Sequence, residues 1–386
     1  MKKIPELDGI RGMAILMVIV WHYFNGQLGP VEASPLASFA KSTSWCWSGV
    51  DLFFVLSGFL IGGIIIDKRD SDNFLRVFFT RRALRIIPVY GLLLIAFFTL
   101  RSMLDAARFG WLFNGDMPDG SYLTLTQNVF MGLSNRFGGN FLGVTWSLAV
   151  EEQFYLIVPF LCLAFPRKRW LALALLLSLS AVICRFVFPG FHTHVITLFR
   201  MDALFLGGLA AGVVRNPWLR RYLSDNTWIL HLVFLALIIP VGIIVFQGKA
   251  QLGNHALFAG LYTSLIMIAV LESGKASVLV FRMPVLRFFG FISYGLYLFH
   301  QPVAGLLYGI TFGSRPSLHT GASWIVTLLS FVVSVFAAVI SYFLIEQYCL
   351  RLGRSQRYEK RHEQGTSSVP KPELPRWADQ SLPTRH

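Results

Sequence analysis

Arg11 and His22 stand eleven residues apart in a segment, Ile10 to Tyr23, that is otherwise almost wholly apolar. Eleven residues make about three helical turns, so on a helix the two side chains fall within roughly 20° of one face, about 16 Å apart along the axis. A guanidinium can hold an anion, and an imidazole can take or give a proton near neutral pH. Both are costly to place in a membrane helix, so the pair marks a candidate functional site.

The elements that must carry the pair follow from composition. Of 386 residues, 55% are hydrophobic and 15% aromatic. Only 14% are charged, against about 25% in soluble domains. The mean hydropathy is +0.59. The chain divides into apolar stretches of membrane-crossing length near 10–26, 48–66, 86–101, 147–165, 170–188, 196–214, 229–247, 256–272, 288–310 and 323–346. The expectation is an all-α, polytopic membrane protein with about ten transmembrane helices. The first span runs on without a small-residue cleavage pattern, so no cleavable signal peptide is expected.

A net charge of +14 would suit nucleic acid, but its distribution argues otherwise. Lysine and arginine collect at alternate connections, Lys68 to Arg85, Arg167 to Arg169, Arg215 to Arg221 and Lys275 to Arg287. The intervening ones carry fewer, such as Lys41, Lys249 and Arg315. This positive-inside pattern puts both termini in the cytoplasm, with the bilayer rather than nucleic acid as partner. Cys46, Cys162, Cys184 and Cys349 show no ligand spacing, so neither a disulfide framework nor a metal site is expected.

Residues 1–350 read as one membrane domain and 351–386 as a polar, proline-containing cytoplasmic tail without order. The connection 102–145 is long enough to be functional or partly structured. Gly62, Gly63, Gly207 and Gly208 suit close helix packing. Glu346 is expected to pair with a loop arginine. No internal repeat supports an inverted-repeat transporter.

With spans alternating in direction, His22, Asp51, Trp146, Ser147, Glu151, Glu152, Arg200 and Asp202 all fall towards the outer side, with His300 nearer the middle. Carboxylates and a histidine at one depth suggest a polar cavity and acid–base chemistry. On the cytoplasmic side Arg81, Arg82 and Arg85 cluster in FFTRRALRIIP. That cluster is either the ordinary positive-inside signal or a phosphate clamp. His192, His194, His231, His255, His319, His362 and His386 carry no evident motif.

LDGIRGMAILMVIVWH, GVDLFFVLSGFLIGG, FFTRRALRIIPVY, WSLAVEEQFYLIVP, FRMDALFLGG and SYGLYLFHQPV together resemble the acyltransferase-3 family of integral-membrane acyltransferases, over about residues 7–350. The resemblance implies an acyl-CoA donor, most simply acetyl-CoA, used as co-substrate on the cytoplasmic side of a bacterial inner membrane, with no tightly bound cofactor. It implies a carbohydrate hydroxyl on the far side as acceptor, for instance in O-antigen or exopolysaccharide. The family's arginine–ten residues–histidine pattern falls on Arg11 and His22, and its arginine motif on Arg81, Arg82 and Arg85. Its WSLxxExxFY pattern falls on Trp146, Ser147, Leu148, Glu151, Phe154 and Tyr155. A long C-terminal SGNH-type domain, carried by some relatives, is absent from the sequence, which favours direct acyl delivery.

The expected mechanism has His22 as general base, oriented by Glu151 or Asp51, with Arg11, Arg81, Arg82 and Arg85 on the donor. Trp146, Ser147, Arg200 and His300 are expected at the acceptor or oxyanion. A covalent acyl-His22 intermediate stays open, as do the acyl group, the acceptor and the oligomeric state. The rival readings are a transporter or exporter of a glycan or lipid-linked substrate, and a scaffolding membrane subunit.

Overall fold

A computed structural model of the chain describes residues 4–28, 35–115, 117–247 and 254–359. Each of the ten expected spans lies on a helix, and no strand occurs among the described residues. In chain order the elements are α1 (Pro5–Val20, continued by a π-helical turn Trp21–Asn25), α2 (Gly49–Lys68), α3 (Phe74–Met103), α4 (Ala106–Phe113), α5 (Asp119–Leu123), α6 (Gln127–Ser134), α7 (Thr145–Ala164) and α8 (Trp170–Val187). There follow α9 (Thr197–Arg215), α10 (Pro217–Asp225), α11 (Thr227–Phe246), α12 (His255–Leu271), α13 (Pro284–Phe312), α14 (Gly321–Ser341, continued by a π turn Tyr342–Glu346) and α15 (Gln347–Ser355).

Among the described residues eight helical segments are long and apolar enough to cross a membrane, and nine if α12 is joined with Ala276–Arg282, to which it is bent by 99°. The remaining expected span, 288–310, the ninth in chain order, lies within the 29-residue α13, whose apolar run is broken by Ser293, Tyr294, Tyr297, His300 and Gln301. The protein is an all-α, polytopic membrane protein. Large apolar side chains face outward on α11, such as Leu232, Leu235 and Ile239, as lipid-facing helices require.

Two helix pairs form the frame of the site. α2 packs most extensively on α9, and α1 on α13. Both approaches depend on missing side chains. A Cβ at Gly207 would overlap the Val55 carbonyl oxygen, and one at Gly58 the Leu204 carbonyl oxygen. Gly62 meets Gly208 in the same seam, whereas Gly63 lies against the Arg215 guanidinium, which pairs with Asp67. Gly207→Ala is therefore expected to lower the thermal midpoint of the detergent-solubilised protein, at a cost of about 1–3 kcal/mol, typical of overpacking. An unchanged midpoint would mean that the α2–α9 seam is looser than the structure has it.

The long connection after α3 is structured, as its length suggested. It forms α4, α5 and α6 and is tied to α3 by Arg101, which donates to both carboxylate oxygens of Asp119 at 2.8 and 2.7 Å. That guanidinium holds the Asp119 carboxyl below its usual range. The polar C-terminal segment departs from expectation. Residues 347–355 continue as helix α15, and 356–359 lie along the start of α3, where Asn73 bonds Arg357 O and Glu359 N, both at 3.0 Å. Composition alone could not find that docking, because its hydrogen bonds run to backbone groups, with Tyr358 stacked on Phe74 and Arg81 beside them. Residues 360–386, with His362 and His386, and Lys249 lie outside the described residues.

Candidate active site

Two cavities open on the α1–α13 pair. The first, of about 100 Å³, is lined by Arg11 of α1, Ser57 of α2, Arg82 and Arg85 of α3, Ser147, Glu151 and Tyr155 of α7, and Ser293, Tyr294 and Tyr297 of α13. Arg82 and Arg85 are three apart on a helix and so share a face. Opposite them Glu151 accepts hydrogen bonds from Ser57 Oγ (2.9 Å) and Tyr155 Oη (3.0 Å). Ser147 Oγ lies 2.6 Å from Tyr297 Oη, which donates to Val144 O at 3.0 Å. Arg11 is paired with Asp8 at 3.3 Å, and Arg82 and Arg85 beside the carboxylate of Glu151 leave a net positive recess suited to a phosphate-bearing ligand.

Further along both helices stand the histidines. His22 sits in the π turn after α1, a distortion that often marks functional positions. Its Nδ1 is 3.0 Å from Val18 O and 3.2 Å from His300 Nε2. His300 Nδ1 is 2.7 Å from Tyr297 O and 3.2 Å from Leu296 O. The carbonyls can only accept, so the network assigns a proton to Nδ1 of each ring. His300 Nε2 is then an acceptor for His22 Nδ1–H, and His22 Nε2 carries a free lone pair with no partner among the described residues. His300 is buried, and its carbonyl accepts from Tyr23 Oη at 2.8 Å. The arrangement holds one imidazole with its basic nitrogen unencumbered.

That histidine lines the second cavity, of about 260 Å³, with Gln27, Trp111, Asn140, Gln301 and Arg315. The order along the two helices is the same. Arg11 precedes His22 on the first, and Ser293, Tyr294 and Tyr297 precede His300 and Gln301 on the other. The histidine pair thus stands between the arginine cavity and the second one.

A third group is buried apart from these two cavities. Arg200 Nη2 donates to Asp51 Oδ1, whose other oxygen is 3.1 Å from His255 Nδ1. His255 Nε2 is 3.2 Å from His194 Nδ1. Asp202 pairs with Arg185 at 2.5 Å. The Arg200 guanidinium lies 5.4 Å from the centre of the Phe54 ring, which separates it from the first cavity.

Residues 4–343 match the acyltransferase domain Acyl_transf_3. The chain belongs to the acyltransferase-3 family. It is 30% identical over 372 residues to a Bacillus subtilis protein named "Putative peptidoglycan O-acetyltransferase YrhL", covering 89% of this chain and 54% of that one. It is 27% identical over 363 residues to O-acetyltransferase OatA of Staphylococcus aureus, covering 89% and 56% respectively. The chain spans about half the length of these relatives. No solved structure matches it.

In this acyltransferase-3 chain the residues expected at one outer cavity divide into three groups. Equal depth does not mean equal direction around a helix. On α2, Asp51 faces α9 and α12, while Val50, Phe53 and Ser57 face the arginine cavity. Asp51 and Glu151 are therefore not the partners of His22, which His300 holds instead. Arg200 and Trp146 do not reach the histidines either. Trp146 packs on the His194 ring at 4.6 Å. Ser147 lines the arginine cavity, not the second one. Arg81 leaves the cluster too, for its Nε and Nη2 donate to Gln356 O (3.2 and 2.5 Å) and its face is covered by Tyr358. Glu346 bonds Ser341 Oγ at 3.4 Å rather than a loop arginine. His194 and His255 carry no motif in the sequence, Tyr297 reads there as a core or interface residue, and Gln301 draws no signal of its own. The first two stand at the ends of apolar spans, where an ionisable group is already a signal.

Proposed function

We propose that the chain is an inner-membrane O-acyltransferase that moves an acyl group, acetyl in the simplest case, from cytoplasmic acyl-CoA to a hydroxyl of an extracytoplasmic carbohydrate. The observation that carries this reading is the histidine pair between a guanidinium-rich cavity and a second one. Arg82 and Arg85 hold donor phosphates by bidentate hydrogen bonds, and Arg11 guides the arm of the donor towards the histidines. Glu151, fixed by Ser57 and Tyr155, balances part of the guanidinium charge. One hydroxyl of the Ser147–Tyr297 pair would exchange its bond to Val144 O for one to the carbonyl oxygen as that oxygen gains charge.

In the transfer step His22 Nε2 takes the proton of the acceptor hydroxyl as its oxygen attacks the thioester carbonyl. The C–S bond breaks on collapse, and the proton passes from His22 to the departing thiolate. His300 supports the imidazolium through Nδ1–H, the part a carboxylate plays in histidine-centred hydrolases. Both termini lie in the cytoplasm in this reading. The family and the names of the relatives support acyl transfer, and the positive-inside charge pattern supports the orientation.

The test uses the full chain in nanodiscs with radiolabelled acetyl-CoA and extracted surface glycans. Label should enter a glycan, and Arg85→Ala should raise the donor KM by about tenfold to a hundredfold, with kcat at saturating donor within a few fold. An unchanged donor KM would move the donor site elsewhere. A protein that neither binds nor consumes acetyl-CoA would leave the transporter reading in its place.

A further inference from the structure

The His22 cavity differs from the arginine cavity in one respect that bears on the acceptor. No carboxylate lines it among the described residues, yet it contains the guanidinium of Arg315. Arg315 is exposed and has no hydrogen bond or ion pair with any described residue. It belongs to a connection on the side where lysine and arginine are sparse, so membrane topology gives no reason for a cation there.

The loop that carries it is fastened. Leu318 N donates to Gln27 O at 2.9 Å, and Tyr308 Oη to Ser317 O at 3.3 Å. The backbone is thus held at the rim of the cavity while the guanidinium stays free. An uncompensated, planar, five-donor cation beside a recess of low dielectric favours a carboxylate. The rest of the lining suits a sugar ring. Trp111 is held by a hydrogen bond from its indole N–H to Arg108 O at 3.1 Å and offers an apolar ring with its polar atom already satisfied. The side-chain amides of Asn140 and Gln301 have no partner among the described residues, so both are available to hydroxyls.

We propose that this cavity takes an acidic carbohydrate, with Arg315 engaging a sugar carboxylate and Trp111, Asn140 and Gln301 the ring beside it. This rests on the reading of the His22 side as the acceptor side. It narrows the acceptor from any glycan hydroxyl to one carried by, or next to, a carboxylate-bearing sugar.

Binding of tri-galacturonate and of its carboxyl-reduced, neutral counterpart can be compared by calorimetry on the full chain in phosphatidylcholine nanodiscs, with acetyl transfer followed in the same samples. The acidic trisaccharide should bind about tenfold or more tightly than the neutral one, as a charge-assisted pair implies. Arg315→Gln should remove that difference and Arg315→Lys retain part of it. Equal binding of the two by the native chain, binding of neither, or a preference that survives Arg315→Gln would overturn the inference. Preferential binding of the acid without any acetyl transfer would leave the inference standing while the transfer reading failed.

Discussion

Replacing His22 with alanine is expected to lower acetyl transfer by about 10³-fold or more while the protein remains folded and still binds donor. The magnitude is that of a lost general base. The structure supplies the reason for choosing His22 Nε2. Its Nδ1–H is held by Val18 O and His300 Nε2, and the opposite nitrogen of this cavity-lining residue has no partner among the described residues. His300 acts through His22 and so is a positioning residue. His300→Ala should lower kcat by roughly tenfold to a hundredfold with both KM values unchanged. His300→Asn, whose amide oxygen can still accept from Nδ1–H, should recover part of that loss. Steady-state kinetics with acetyl-CoA and glycan would check both. Near-native turnover in the His22 variant would remove it from the chemistry. Equal losses of kcat in His300→Ala and His300→Asn would assign His300 a packing role instead.

The helices were legible because a membrane imposes a coarse code. About twenty apolar residues make a span, and every such stretch became a helix. Arg82 and Arg85 were legible as a cluster, together with Arg81, from FFTRRALRIIP, and Arg11 joined them only through the family resemblance. What could not be read was direction around each helix axis. Asp51 and Ser57 are six residues apart on α2, yet one faces Arg200 and His255 and the other Glu151. The choice follows from the glycine seam between α2 and α9, which fixes the rotation of α2 through contacts between residues some 150 positions apart in sequence. The histidine pair was hidden for the same reason. His22 and His300 meet because α1 lies along α13, a pairing that span order leaves open among many. Arg81 illustrates a different limit. Its partner is the backbone carbonyl of Gln356, and a backbone acceptor leaves no mark in side-chain chemistry.

The position of Asp51 leads to the largest expected effect on stability. Asp51→Ala would leave the Arg200 guanidinium, itself 1% exposed, without its counter-ion. Two of its nitrogens, Nε and Nη1, already lack partners, so Asp51 is the one carboxylate bonded to it among the described residues. Removing one partner of a buried ion pair costs about 3–5 kcal/mol, since the remaining charge is still desolvated. Within a bilayer that charge has no route to water through the α2–α9 seam. His255 would lose its Asp51 bond as well. The variant should therefore show a sharply lowered thermal midpoint and a reduced yield of monodisperse protein in detergent. Asp51→Asn keeps a carbonyl oxygen for Arg200 and should fall between the two. Asp51→Leu combined with Arg200→Met exchanges the pair for apolar groups of similar size, so the double variant should regain most of the loss. Turnover in that double variant is the discriminating result, because a chemical role for Asp51 would give a stable double variant without activity. A single Asp51→Ala variant with native stability and no turnover would return Asp51 to the catalytic machinery.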